Sequence, residues 1–188
     1  MRIVAGKFRG RPLLSPGGAD VRPTADRVRQ TVFDVLAHAY GDPVTGARVL
    51  DLFAGTGALG FEALSRGAAS VLFVEEDAEA RGVIRGNIEA LGVGGSTRIF
   101  RRDATKLGDA GNLPPFTLVF ADPPYGKGLG ERALQAAVVG GWCAVDALVV
   151  LEESAETAIA PVRGLAVLET RRIGDTAIHF LAAGPDRP

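Results

Sequence analysis

From residue 47 onward, short apolar runs alternate with stretches whose apolar positions recur at helical spacing, and this alternation limits the fold more than any other feature. Arg48 to Leu52, Val71 to Val74, Arg98 to Phe100, Phe116 to Ala121 and Ala147 to Leu151 read as strands. Helices are expected from about Gly57 to Arg66, Ala78 to Leu91 and Gly130 to Val139, with Gly67 and Gly92 punctuating the first two. Repeated βα units imply a mostly parallel, twisted sheet of the α/β class. Gly164 to Thr170 and Thr176 to Ala182, joined by a turn at Ile173-Gly174-Asp175, add a C-terminal antiparallel hairpin.

The N-terminal part differs. Residues 2–14 mix apolar and basic pieces around Gly6 and Gly10, which predicts a small hairpin or extended arm, broken at Ser15-Pro16-Gly17-Gly18. Thr24 is placed to cap a helix carrying Val28, Val32, Val35, Leu36 and Ala39 on one face, and Gly41-Asp42-Pro43 stops it. The expected organisation is therefore a basic arm and helix over 1–42 packed on a main domain at 43–184, with a frayed tail at 185–188.

Charge sharpens this division. The first 30 residues hold seven basic and two acidic side chains, net +5, while the remainder holds 14 basic and 20 acidic, net −6. A basic arm on an acidic body points to nucleic acid, against the plainer reading of a solvated extension. Lys7, Arg9, Arg11, Arg22, Arg27 and Arg29 are the candidate RNA-binding residues, and Arg22, Arg27 and Arg29 are expected to form one basic helix face. No apolar stretch reaches the ~18 residues of a membrane helix, and Met1 to Gly6 lacks a signal-peptide core, so a cytoplasmic protein with no membrane partner is expected. Cys143 alone makes no disulfide, and with His38 and His179 at no metal-ligand spacing, no metal is expected.

The candidate site lies at the carboxyl ends of the strands, where open α/β sheets bind ligands. Asp51-Leu52-Phe53-Ala54-Gly55-Thr56-Gly57-Ala58-Leu59-Gly60 is a glycine-rich βα turn. Its Gly-x-Gly-x-x-Gly spacing, with Glu75 twenty residues after Gly55, also fits a dinucleotide site. Asp51 separates the two readings: a carboxylate before the glycines repels a pyrophosphate and favours a cationic ligand such as S-adenosylmethionine. A cap on the local turn is the structural alternative for Asp51. Glu75 is suited to ribose hydroxyls, Asp103 to an adenine amino group, and one of Glu76 and Asp77 to a helix cap.

After the fourth strand comes Asp122-Pro123-Pro124-Tyr125. The prolines end the strand, because neither donates to a ladder. A carboxylate, backbone carbonyls and an aromatic ring then emerge together, fit to hold a flat molecule bearing an amine.

These motifs resemble, in order, those of class I S-adenosylmethionine-dependent methyltransferases acting on exocyclic amines. Met1 to Arg11 and Arg22-Pro23-Thr24-Ala25-Asp26-Arg27-Val28-Arg29-Gln30 narrow the likeness to the bacterial RsmD family of 16S ribosomal RNA guanine-N2 methyltransferases. Gln30 and Asp34 depart from the Glu and Asn expected there. The resemblance implies a Rossmann-like class I methyltransferase fold with a small N-terminal extension. It also implies Asp51, Phe53, Ala54, Gly55, Gly57, Glu75, Asp103 and Ala104 at the cofactor, with S-adenosylhomocysteine as product. Asp122, Pro123, Pro124 and Tyr125 are implied at the reacting amine, and 16S rRNA or a partly assembled small ribosomal subunit as partner of a monomer. The Asp122 loop alone leaves adenine N6 open as the target, and a non-catalytic RNA-binding assembly factor is a further alternative.

Overall fold

The structure is a computed structural model that describes residues 1–15 and 23–184, without the side chains of 23–25. Arg22, the break at 16–18, the Thr24 side chain and the 185–188 tail lie outside the described residues. The described elements are α1 (Pro23–Ala39), β1 (Arg48–Leu52), α2 (Ala58–Ser65), β2 (Ser70–Val74), α3 (Ala78–Leu91), β3 (Thr97–Phe100), β4 (Phe116–Ala121), α4 (Leu129–Val139), β5 (Cys143–Ser154), β6 (Leu165–Ile173) and β7 (Thr176–Ala183).

The strands form one sheet in the order β3-β2-β1-β4-β5-β7-β6. β1 to β5 run parallel, and β7 lies antiparallel between β5 and β6. The expected mostly parallel sheet and closing hairpin are both present, the hairpin folding back so that its second strand adds to β5. β5 is longer than the apolar run suggested: it continues through Glu152 and Glu153, which pair with Ile178 and Ala177.

Alternation along the strands fills two cores. Val49, Phe73, Leu118, Phe120 and Val150 face one side with Phe33 of α1, Phe61 of α2 and Ile84 of α3. Leu50, Leu72, Val119, Val149 and Leu151 face the other with Leu134 of α4 and Trp142. Fully burying such a side chain contributes about 1.5–3 kcal/mol. Helix ends obey local chemistry as well: Asp77 caps α3 by accepting from Ala80 N–H at 2.8 Å, and Gly92 closes it in a left-handed conformation.

The arm is built into the domain. Ile3 and Leu13 belong to the first core, and Ile3 N–H to Arg11 O and Leu13 N–H to Met1 O, both 3.0 Å, close a small hairpin. Buried Glu62 of α2 accepts from the N–H groups of Val4 and Ala5 at 2.8 and 3.0 Å. Lys7 N–H donates to Ser65 O at 2.7 Å. A Cβ on Gly6, at φ +79°, would sit 1.9 Å from Ser65 O, so only glycine passes over α2 here.

Candidate active site

The strand order reverses between β1 and β4, and the loops leaving those two strands flank the crevice such a switch opens. The β1 loop is held from the next strand: Glu75, one residue past β2, accepts from Gly55 N–H and Asp77 N–H, both at 2.8 Å. Phe53 takes a left-handed φ of +57°, an uncommon conformation for a bulky residue that costs of order 1–3 kcal/mol. The residue lines two cavities.

The larger cavity, about 600 Å³, is lined by Glu75, Asp77, Arg102, Asp103, Ala104, Pro124 and Arg132, among others. That volume lies within the usual range for small-molecule sites, roughly 300–1,000 Å³. Asp103 Oδ1 accepts from the hydroxyl and N–H of Thr105 at 2.7 and 2.8 Å, with Lys106 Nζ 3.5 Å from Oδ2. The Thr105 hydroxyl, with Lys106 assisting, holds the Asp103 carboxyl below its usual range. The expected ligand acids Glu75 and Asp103 are thus brought together, Asp103 accepting from its own loop and Glu75 from its own loop and from the β1 loop.

The smaller cavity, about 280 Å³, is lined by Met1, Arg29, Asp51, Phe53, Ala54, Gly55, Thr56, Asp122 and Glu152, among others. Asp51 is 1% exposed and accepts from Gly60 N–H at 3.0 Å, in the first turn of α2. The capping alternative for Asp51 therefore holds, and its cavity position holds too. Burial drives its carboxyl well above the ordinary value, with Gly60 N–H opposing and Asp122 and Glu75 adding to the rise. Gly55, at φ +56°, leaves open space where a Cβ would stand, its nearest neighbour being Phe53 O at 3.9 Å. A ligand can reach the loop backbone there.

Asp122 makes no side-chain hydrogen bond to any described residue, and it opens toward solvent at the cavity mouth. Its carboxyl is pushed up to about 8, first by the protein around it and then by the charges of Glu152 and Glu153. Those two glutamates fasten the loop. Tyr125 donates its hydroxyl to Glu152 Oε1, with Thr176 Oγ1 3.5 Å away. Glu153 Oε1 accepts from Gly126 N–H at 2.9 Å and Ser154 N–H at 2.7 Å. Pro123 is buried, while Pro124 faces the larger cavity.

The basic candidates divide. Lys7, Arg9, Arg11 and Arg27 are exposed; Arg11 donates to Ala90 O at 2.8 Å, near the end of α3. Arg29 does not share a free face with Arg27. It is 4% exposed, donates to Arg2 O at 2.6 Å, pairs with Asp26 at 2.9 Å and lies 3.6 Å from Glu62. Arg29 therefore joins the arm to α1 and α2, and reaches the smaller cavity from inside.

Sequence reasoning missed Glu152, Glu153, Glu62 and Asn87. The two β5 glutamates obey the rule already applied to Glu75 and Asp103, an acid at the carboxyl end of a parallel strand, and that signal was available. Asn87 of α3 is buried, accepts from Leu14 N–H at 2.7 Å and donates to Thr56 O at 3.2 Å, linking the arm to the glycine loop.

The chain matches, over residues 1–182, the family described as conserved hypothetical protein 95. It is 38% identical over 162 residues to ribosomal RNA small subunit methyltransferase D of Escherichia coli, covering 86% of this chain and 79% of the other. The protein of the same description from Haemophilus influenzae is 32% identical over 176 residues, covering 93% and 89%. Among solved structures, yhhF of Escherichia coli superposes with a TM-score of 0.81 at 33% identity over 99% of both chains.

Proposed function

We propose, from the premise that the chain belongs to the conserved hypothetical protein 95 (RsmD) family, that this methyltransferase moves a methyl group from S-adenosylmethionine to the N2 amine of a guanine in 16S ribosomal RNA. One observation carries the reading: Phe53 lines two cavities, with Glu75 and Asp103 walling one and Asp122, which makes no side-chain hydrogen bond among the described residues, lining the other.

The donor set fits the cofactor. Glu75 and Asp103 keep lone pairs for ribose hydroxyls and an adenine amino group, Ala104 and Pro124 offer apolar walls, and the raised carboxyls of Asp51 and Asp122 would be returned to the ionised form by a cation, which a phosphate cannot do. Gly55 gives backbone access to a group between the cavities. Bound S-adenosylmethionine supplies an electrophilic methyl group on a sulfonium and leaves as S-adenosylhomocysteine.

The chain's own residues handle the amine. A guanine N2 lone pair is delocalised into the ring, so the amine is a poor nucleophile. In its ionised form, which a cation bound beside it favours, Asp122 accepts one of the two N–H hydrogens and the Pro123 carbonyl the other, and together they hold the nitrogen with its lone pair turned toward the cofactor. Hydrogen bonds to a charged partner contribute roughly 1.5–3 kcal/mol each, and alignment contributes more. Asp122 takes the proton once nitrogen carries positive charge. The Tyr125 ring, 38% exposed, stacks on a base drawn out of its helix, offsetting an unstacking cost of a few kcal/mol.

The relatives' names supply the substrate: on this reading the small-subunit RNA they are named for is also methylated here, with Lys7, Arg9, Arg11 and Arg27 on its phosphates. The test is label transfer from methyl-labelled S-adenosylmethionine to 16S RNA, free and in small subunits. Label in the RNA with the parent, and none with Asp122→Asn while cofactor binding persists, is expected. Unlabelled RNA in both forms, with the cofactor bound, overturns the reading.

A further inference from the structure

The register that pairs Ala121 with Leu151 brings Asp122 and Glu152 to the ends of adjacent parallel strands, one step further on. Both side chains line the smaller cavity. Glu152 has no ion-pair partner among the described residues, although Arg29 shares its cavity. Its Oε1 accepts the Tyr125 hydroxyl, so the second oxygen remains to face whatever enters. Burial raises the Glu152 carboxyl, and the hydroxyl donated by Tyr125 opposes that rise.

Two acceptors side by side suit one kind of base edge. Guanine presents adjacent donors, N1–H and the N2 amine. Adenine and cytosine present their amine beside a ring nitrogen that is itself an acceptor, which a carboxylate repels. Flipped bases are read on this edge.

We propose that Glu152 accepts the N1–H of the target guanine while Asp122 accepts from its N2 amine, so that this pair of carboxylates selects guanine over adenine. Glu152 is thus the specificity residue, and Tyr125 positions it. The proposal rests on the preceding reading that a base amine enters the smaller cavity, and deepens it by naming what rejects adenine.

The test uses 2-aminopurine, which keeps the N2 amine but presents N1 as an acceptor. Mapping of labelled product first locates the methylated nucleotide; a methylated adenine overturns both this proposal and the reading beneath it. RNA carrying guanine or 2-aminopurine at that nucleotide is then compared. The parent protein should favour guanine by at least ~100-fold in kcat/KM, as expected where a site's polar group is left facing the wrong partner. In Glu152→Gln the amide oxygen can keep Tyr125 and its NH2 can donate to N1 of 2-aminopurine. That preference should fall at least ~10-fold, and the Kd for 2-aminopurine RNA, read from its own fluorescence without cofactor, should tighten. Methylated guanine with equal use of both bases by the parent overturns the proposal alone, even if the variant fails to fold. So does full preference with unchanged Kd in a folded Glu152→Gln, which would place the discrimination elsewhere, as at guanine O6.

Discussion

Gly55 donates its N–H to Glu75 at 2.8 Å, so the glycine loop after β1 is held by the carboxylate that follows β2. The same carboxylate supports Asp77 N–H at the start of α3 and faces the larger cavity. Glu75→Ala removes the loop's anchor and the proposed ribose acceptor together. Loss of one charged hydrogen bond is worth roughly 1.5–3 kcal/mol, so calorimetric affinity for S-adenosylhomocysteine should fall by about 10- to 100-fold. The fold should survive, since no core side chain is removed.

Glu62 is the stability counterpart. It is 0% exposed, bonds the Val4 and Ala5 N–H groups, and lies against Arg66 at 2.9 Å and Arg29 at 3.6 Å. Glu62→Ala takes the carboxylate from half-buried Arg66, leaves buried Arg29 with Asp26 alone among the described residues, and strips the acceptor from two arm N–H groups, a loss of about 3–5 kcal/mol. Urea unfolding should register it, and Glu62→Gln should recover part, because an amide oxygen still accepts from one N–H.

Gly6→Ala tests the docking of the arm separately. The added Cβ would meet Ser65 O at 1.9 Å from a backbone at φ +79°, which costs a residue with a Cβ about 1–2 kcal/mol before the clash is counted. The expected result is a lower Tm and faster limited proteolysis within residues 1–15, with the sheet domain still folded.

Asp122 carries a pH signature. The protein around it and the charges of Glu152 and Glu153 push its folded carboxyl up to about 8 from an ordinary 3.8, so the folded state binds this proton more tightly than the unfolded chain. The associated stability is complete below 3.8 and is lost as pH rises toward 8. Asp122→Asn, which cannot ionise, should therefore show a higher Tm than the parent at pH 8, with the difference closing toward pH 4. A gap of constant size across that window would contradict this assignment.

The exposed basic residues should report on RNA. Each phosphate contact contributes ~0.7–0.9 to the slope of log K against log salt. Changing Lys7, Arg9 and Arg27 together to Ala should weaken RNA binding and flatten that slope by about 2–3; an unchanged slope would remove them from the interface.

The βα order and the two loops that line the cavities are legible in the sequence, because buried parallel strands are uninterrupted apolar runs and their carboxyl ends carry the odd acids. What escaped was non-local. Arg29 reads as one tooth of a basic helix face, yet Glu62, 33 positions away, draws it inside. β5 reads as stopping at Leu151 because two glutamates follow, but Gly126 N–H gives buried Glu153 a partner, and the Tyr125 hydroxyl gives one to Glu152. The left-handed Phe53 had no local signal, since the residue type argues against the conformation it adopts.

The central claim is that the base offering its amine to Asp122 is guanine. The direct measurement is nucleoside analysis of 16S RNA, free and in small subunits, after reaction with methyl-labelled S-adenosylmethionine. The account predicts all label in N2-methylguanosine at a single nucleotide, and label in N6-methyladenosine would contradict it.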